Sequence, residues 1–329
     1  MNSHVFCFAI RAISVAVLGL ASAIASAQGY PTKPIHLVVP FPPGGSVDLA
    51  ARLIEPQLSK ELGQPVIIEN RPGAGGGIGT RAVAQADPDG HTLLVTVVGS
   101  VSIAPSLYKD IGYTANDFAP ISQIFSTPLF VMVRDDSKYK TLQSLIDAGA
   151  NGKKDLPMFG SAGNGALSHL SGIMLNTAAH TGFEHIPYKG GGPMTMALLA
   201  GETDFSMLAS SDALSHVRAG KLRPLAALTA ERTEPLPNVP TALEQGVKGM
   251  AFNVWYGLLA PAKTPAAIVD RLNSVMSKIL QEPSMVSRIS ATGAVPSGKN
   301  NTPAAFKKMI ADETIMYAEA IRVSGAVVN

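Results

Sequence analysis

A short apolar run, a glycine-rich turn and the start of a helical pattern follow one another at Val38-Val39-Pro40-Phe41-Pro42-Pro43-Gly44-Gly45-Ser46-Val47-Asp48. This order constrains the fold more than any other feature of the chain. Ile35, Leu37, Val38 and Val39 read as a buried strand, and Leu49, Leu53, Ile54, Leu58 and Leu62 then recur at helical steps. A helix entered from such a turn leaves backbone N–H groups free in a loop with little side-chain bulk. Partial positive charge and unsatisfied donors make that spot an anion site. The arrangement recurs in kind at Gly160-Ser161-Ala162-Gly163-Asn164-Gly165 and at Tyr188-Lys189-Gly190-Gly191-Gly192-Pro193. Three such loops in one chain predict a shared cleft.

At 329 residues the chain exceeds what one core usually organises, so two domains are expected. A formal net charge of only +2, without a lysine or arginine cluster, speaks against nucleic acid as a partner. Residues 1–27 read as a secretory signal peptide. Arg11 precedes an apolar run from Ala12 to Ile24, and Ala25-Ser26-Ala27 is a small-residue cleavage site. The single cysteine, Cys7, lies inside that segment and away from the cut. Export without disulfides points to a bacterial periplasm and a fold held by core packing.

Along the mature chain, strands alternate with helices, which predicts parallel sheets with covered faces. Ser126-Thr127-Pro128 interrupts a long apolar stretch, as expected where the chain crosses from one domain to the other. A return crossing is expected after Leu225–Leu228, with Thr233–Pro240 as an ordered loop or part of that crossing. Domain 1 is then 28–126 with 230–329, and domain 2, inserted, is 127–229. Pro193 is expected at the first helical position of a helix over Met194–Ala200. Gly77-x-Gly79-x-x-Ala82 matches a dinucleotide fingerprint in form only, because its strand ends too early and no acidic residue closes a second strand; the residues near Thr80–Ala86 are expected to be helical.

The catalytic inventory is thin. Scattered histidines without H-E-x-x-H give no metal motif, and no G-x-S-x-G provides a nucleophile elbow. No catalytic residue, metal or cofactor is expected; His180 and His185 read as surface or structural residues. The binding inventory is richer. The loops offer backbone donors together with Phe41, Pro43, Gly44, Gly45, Ser46 and Asp48, then Ser161, Ala162, Asn164 and Gly165, then Tyr188, Lys189 and Gly190. A small carboxylate could be held by those N–H groups. Asp48, in the first turn of its helix, either caps it or positions a water or ligand donor, and Lys189 either supplies a counter-charge or faces solvent. No arginine lies in any of the three loops, which argues against a bidentate clamp from them.

Tyr30 to Arg52 resembles the opening signature of the Bug-type solute-binding proteins of tripartite tricarboxylate transporters. Similar matches are Glu69-Asn70-Arg71-Pro72-Gly73-Ala74-Gly75-Gly76, Asp87-Pro88-Asp89-Gly90-His91-Thr92-Leu93-Leu94, His185-Ile186-Pro187-Tyr188-Lys189-Gly190 and Trp255-Tyr256-Gly257-Leu258. The resemblance covers nearly all of the mature chain. It implies a type II periplasmic-binding-protein fold: two α/β domains, two crossover strands, and a ligand closed in the cleft between them. It further implies a monomeric receptor that delivers a small organic carboxylate to a membrane permease of two subunits; the alternative is a sensor read by a signalling receptor. In that family the loops matching Pro43–Ser46 and Ser161–Gly165 hold a carboxylate, and Met207 to Ser211, with Ser210, would line the distal pocket. Ala166 stands where many members carry serine or threonine, which removes one hydroxyl beside the second loop.

Overall fold

The computed structural model describes residues 29–108, 110–150, 154–252 and 254–324; the expected signal peptide and Cys7 lie outside the described residues. The strands are β1 (Ile35–Val39), β2 (Val66–Asn70), β3 (Thr92–Val97), β4 (Phe118–Thr127), β5 (Leu129–Arg134), β6 (Met158–Ser161), β7 (Glu184–Pro187), β8 (Phe205–Ala209), β9 (Leu222–Ala227), β10 (Val254–Pro261) and β11 (Val295–Pro296). The helices are α1 (Ser46–Leu62), α2 (Gly77–Ala84), α3 (Ala104–Leu107), α4 (Leu142–Gly149), α5 (Leu167–Ala179), α6 (Gly191–Ala200), α7 (Ser210–Arg218), α8 (Ala266–Gln281), α9 (Pro283–Ala291) and α10 (Pro303–Ser324).

Two sheets result, each the centre of an α/β lobe. The first has six strands in the order β11-β4-β10-β3-β1-β2, the second five in the order β7-β6-β8-β5-β9. This is the type II periplasmic-binding-protein architecture, with a chain that passes twice between lobes. β4 ends at Thr127 in the first sheet, and β5 begins at Leu129 in the second. The return leads from β9, through a bridge between Ala227 and Thr241, to β10 back in the first sheet.

The sheets are mixed and not wholly parallel. β1 pairs in parallel with β2 and β3, and β6 with β7 and β8. By contrast, β10 runs antiparallel to β3 and β4, and β5 antiparallel to β8 and β9. β5 and β10 each follow a passage from the other lobe, so they enter from the cleft end instead of returning through a helix; the two-residue β11, also antiparallel to β4, follows α9 within the first lobe. Strand–helix alternation read along the sequence does not carry that information.

Helix ends follow local chemistry. Thr141 caps α4, its Oγ1 accepting the Ser144 N–H at 3.1 Å. Gly63 and Gly201 close α1 and α6 in the left-handed region, at φ 70° and 80°. The helix expected from Pro193 starts two residues earlier, at Gly191, so Pro193 is its third residue. Pro is tolerated there because first-turn N–H groups have no intrahelical acceptor. The helix expected near Thr80–Ala86 is displaced likewise and occupies Gly77–Ala84.

The first lobe's core centres on Trp255, fully buried in β10, edge-on to Phe306 of α10 with ring centroids 5.0 Å apart. Phe159 and Phe183 pack against Phe205 in the second lobe, Phe183 edge-on, and Phe130, Met132, Met194, Leu198 and Leu208 form a separate cluster.

Candidate functional site

Parallel pairing brings the glycine-rich loops together. β6 and β7 run in register from Met158–Glu184 to Ser161–Pro187, so the loops that follow them leave the sheet side by side. Tyr188 N–H donates to Ser161 O at 2.9 Å, and Gly190 N–H to Ala162 O at 3.0 Å. β8 lies beside β6 and carries Met207 and Ala209 to the same end. Across the cleft, β1 delivers the first loop at the carboxyl end of its own sheet, the usual ligand position in open α/β sheets. Gly45 faces this cluster across the cleft: a β-carbon on it would stand in ordinary contact, 3.7 Å from Gly192 N.

Between the lobes lies a cavity of about 80 Å³, several times the roughly 10–15 Å³ that one water needs. Of the residues expected at the site, Phe41, Gly45, Ser46, Ala162, Lys189 and Gly190 line it. Four helices begin at its wall, and their N-cap residues are Gly45 (α1), Ala166 (α5), Gly190 (α6) and Ala209 (α7). None of the four makes a side-chain cap. Most of the remaining wall is apolar: Val97, Leu129, Leu167, Met194, Met207 and Val254.

The other expected residues hold the loops and do not line the cavity. Asp48 is buried and turned away from it, its Oδ2 accepting Gly44 N–H (3.0 Å) and Arg52 Nε (2.7 Å) and its Oδ1 accepting Asn70 Nδ2 (3.0 Å). Burial pushes its carboxyl upward, but the bonds from Arg52, Gly44 and Asn70 outweigh that and keep it below the usual carboxylate range. Ser161, fully buried, shares a 2.6 Å hydrogen bond with His185 Nε2 and accepts the Gly163 N–H. His169 stacks on His185 at 4.1 Å and accepts the Gly165 N–H on Nδ1 at 3.3 Å. His185 is therefore a structural support of the second loop. Asn164 offers its carbonyl to Tyr108 Oη at 2.7 Å, and Tyr188 Oη donates to Glu202 at the surface. Ser210 Oγ donates to Gly293 O at 2.8 Å. Pro43 and Gly44 lie in an outer groove with Gly192, Pro193 and Ser215.

Several of these bonds join the lobes. Tyr108 to Asn164, Ser210 to Gly293, and Ser46 to Asp212 each pair one residue from either side of the cleft. The last was not foreseen. Ser46 Oγ donates to Asp212 Oδ1 at 2.5 Å and lies 2.9 Å from Ser211 Oγ. Burial raises the Asp212 carboxyl by more than its hydrogen bonds from Ser46 lower it. Tyr256, also in the wall, is held above the ordinary phenol range by burial and then by the charge of Asp212. Asp212 stands in the first turn of a helix after a buried strand, the pattern that singled out Asp48, so the sequence did contain a signal for it. The apolar wall depends on register between distant strands and had none.

Among the described residues, no group of three or more His, Cys, Asp or Glu is arranged to hold a metal ion, and no helix is long and apolar enough to cross a membrane.

BugT of Bordetella pertussis is 35% identical over 320 residues, covering 97% of each chain. Among solved structures, MatC from Rhodopseudomonas palustris with bound malate has a TM-score of 0.84 and 32% identity, over 89% of this chain and 100% of that one. Rpa4515 of R. palustris with adipate has a TM-score of 0.84 and 30% identity, over 90% and 98%. Residues 50–325 match the tripartite tricarboxylate transporter family receptors, TctC. With this match, and with two α/β lobes closed over a donor-lined cavity, the chain belongs to the TctC family of solute-binding receptors and is of the Bug type.

Proposed function

We propose that this chain is a periplasmic receptor that captures a small organic carboxylate by closure of its two domains and delivers it to a two-subunit membrane permease of the tripartite tricarboxylate type. In this reading, residues 1–27 are removed on export, domain 1 (28–126 with 230–329) and domain 2 (127–229) move about the two crossings, and the receptor works as a monomer without a cofactor. The ligand is a di- or tricarboxylate, an aromatic carboxylate or an acidic amino acid.

One observation carries the reading: four helix N-termini without side-chain caps begin at the wall of a single cavity. Each charge-assisted bond from such an N–H contributes about 1.5–3 kcal/mol, and the dipoles add to it. Ala166 supports the same reading, since a serine or threonine there could bond its own helix and compete with a ligand for those donors. The relatives with bound malate and adipate hold carboxylates.

Thermal unfolding of the mature protein, stripped of ligand by unfolding and refolding, tests it. The panel comprises citrate, malate, succinate, glutarate, adipate, benzoate, nicotinate and glutamate. A bound member at ~100 times its dissociation constant stabilises the fold by about 2.7 kcal/mol, which a melting curve resolves. A panel without any shift overturns the carboxylate reading.

A further inference from the structure

Two charged side chains stand in the cavity wall, Lys189 and Asp212. Neither has an ion-pair partner among the described residues. Asp212 receives hydrogen bonds from Ser46 and from no cation. A carboxylate can accept about four, so acceptor capacity remains on a residue that lines both the cavity and the outer groove. The group is also held in place. Ser46 fixes it from the opposite lobe, and Gly191 makes room for it, since a β-carbon at Gly191 would stand 2.5 Å from Asp212 Oδ2. As the acid in the first turn of α7, Asp212 already answers that helix's dipole, and it also accepts the first N–H of α1, that of Ser46, which leaves the N-termini of α5 and α6 for an incoming anion.

From this juxtaposition we propose that the ligand is a zwitterionic amino carboxylate, its carboxylate held by the N-termini of α5 and α6 and its ammonium paired with Asp212. The inference rests on the carboxylate-receptor reading and narrows it. A purely anionic dicarboxylate would bring a second negative charge against an acid that has no cation of its own, and a buried charge is tolerated only when paired. An ammonium supplies the missing partner, and Lys189 balances the carboxylate at the rim. Phe41, Leu129, Met194, Met207 and Val254 then face the ligand's remaining carbon atoms; this apolar wall suits an aliphatic or aromatic side chain.

Matched pairs test the proposal on the refolded wild-type protein: L-leucine against 4-methylpentanoate, L-phenylalanine against 3-phenylpropanoate, and L-glutamate against glutarate, by isothermal titration calorimetry. In at least one pair the amino member is expected to bind about 100-fold more tightly, the order expected of a hydrogen bond between charged groups. Asp212→Asn, which keeps the shape and the Ser46 contact, should narrow that gap to roughly threefold by weakening only the amino member. Equal or tighter binding of the amino-free member in every pair that binds overturns the proposal and leaves the carboxylate receptor standing. So does a response confined to malate, citrate or benzoate. If no carboxylate of any kind binds, the receptor reading fails and this one fails with it. The wild-type comparison decides the matter even where Asp212→Asn does not fold.

Discussion

Asp48 ties the first glycine-rich loop to its sheet, and its removal should loosen the site without touching the cavity wall. In Asp48→Ala, Gly44 N–H and one Asn70 amide proton lose their acceptor, and Arg52 loses its partner. The Arg52 side chain is 56% exposed, so that ion pair contributes less than about 1 kcal/mol. An orphaned buried donor costs about 1–3 kcal/mol. Gly44 is exposed enough for water to replace the carboxylate, while Asn70 is only partly buried and retains its bond to Phe41 O. The sum is therefore about 1–2 kcal/mol, read as a lower urea midpoint, with Asp48→Asn losing less because it can still accept from Gly44. The difference from Asp48→Asn also depends on pH. The folded carboxyl lies below its ordinary range, so its contribution is complete above the unfolded pKa of about 3.9 and is lost as pH falls through the folded value. The gap between wild type and Asp48→Asn should hold from pH 7 to 5 and shrink below about 4. An Asp48→Ala protein with the wild-type midpoint would refute the role assigned to this side chain.

Two further outcomes can be checked on the same material. Burial lowers His169 to about 4, and burial together with His169 lowers His185 to about 3. An unfolded histidine titrates near 6.5, so the unfolded chain binds more protons between about pH 6.5 and 4, and stability is lost as pH falls through that window. The urea midpoint should decline from pH 7 to 5, and His169→Gln with His185→Gln should flatten the decline; an unchanged slope would show that the pair is not buried and neutral. A β-carbon on Gly75 would stand 2.1 Å from Asn164 O, a backbone atom of the opposite lobe. Gly75→Ala should therefore hold the cleft apart and weaken ligand binding at least tenfold, and because Gly75 sits at φ 60° it should also lower the apo melting temperature. Undiminished ligand-induced compaction in small-angle scattering would sink that idea.

Much of the architecture was legible because its signals are local. Each glycine-rich turn sits between a strand and a helix within about a dozen residues, and Ser126-Thr127-Pro128 marks the first passage between lobes where β4 gives way to β5. Strand direction was not legible, since β5 and β10 are antiparallel through long-range pairing. The site divides the same way. Gly45, Ser46 and Gly190 could be read from their loops, whereas Met194, Val254 and Tyr256 reach the cavity only through the register of strands far apart in the chain. Asp48 and Asp212 show the limit of pattern alone: both follow a strand and open a helix, yet one faces Asn70 and Arg52 and the other the cavity.

The position of β10 sets an order of assembly. It lies between β3 and β4 in the first sheet but begins only at Val254, so β3 and β4 have no strand to join them until most of the chain has been synthesised. Every strand of the second sheet lies between Leu129 and Ala227, and its first and last strands are neighbours through the pairing of Phe130 with Ala227. The inserted lobe can thus complete its sheet while β3 and β4 wait with unpaired edges, the slow and aggregation-exposed phase of a high-contact-order fold. A chain of this kind emerges with its most vulnerable strands first, and their protection depends on a segment that follows more than 120 residues after β4 ends.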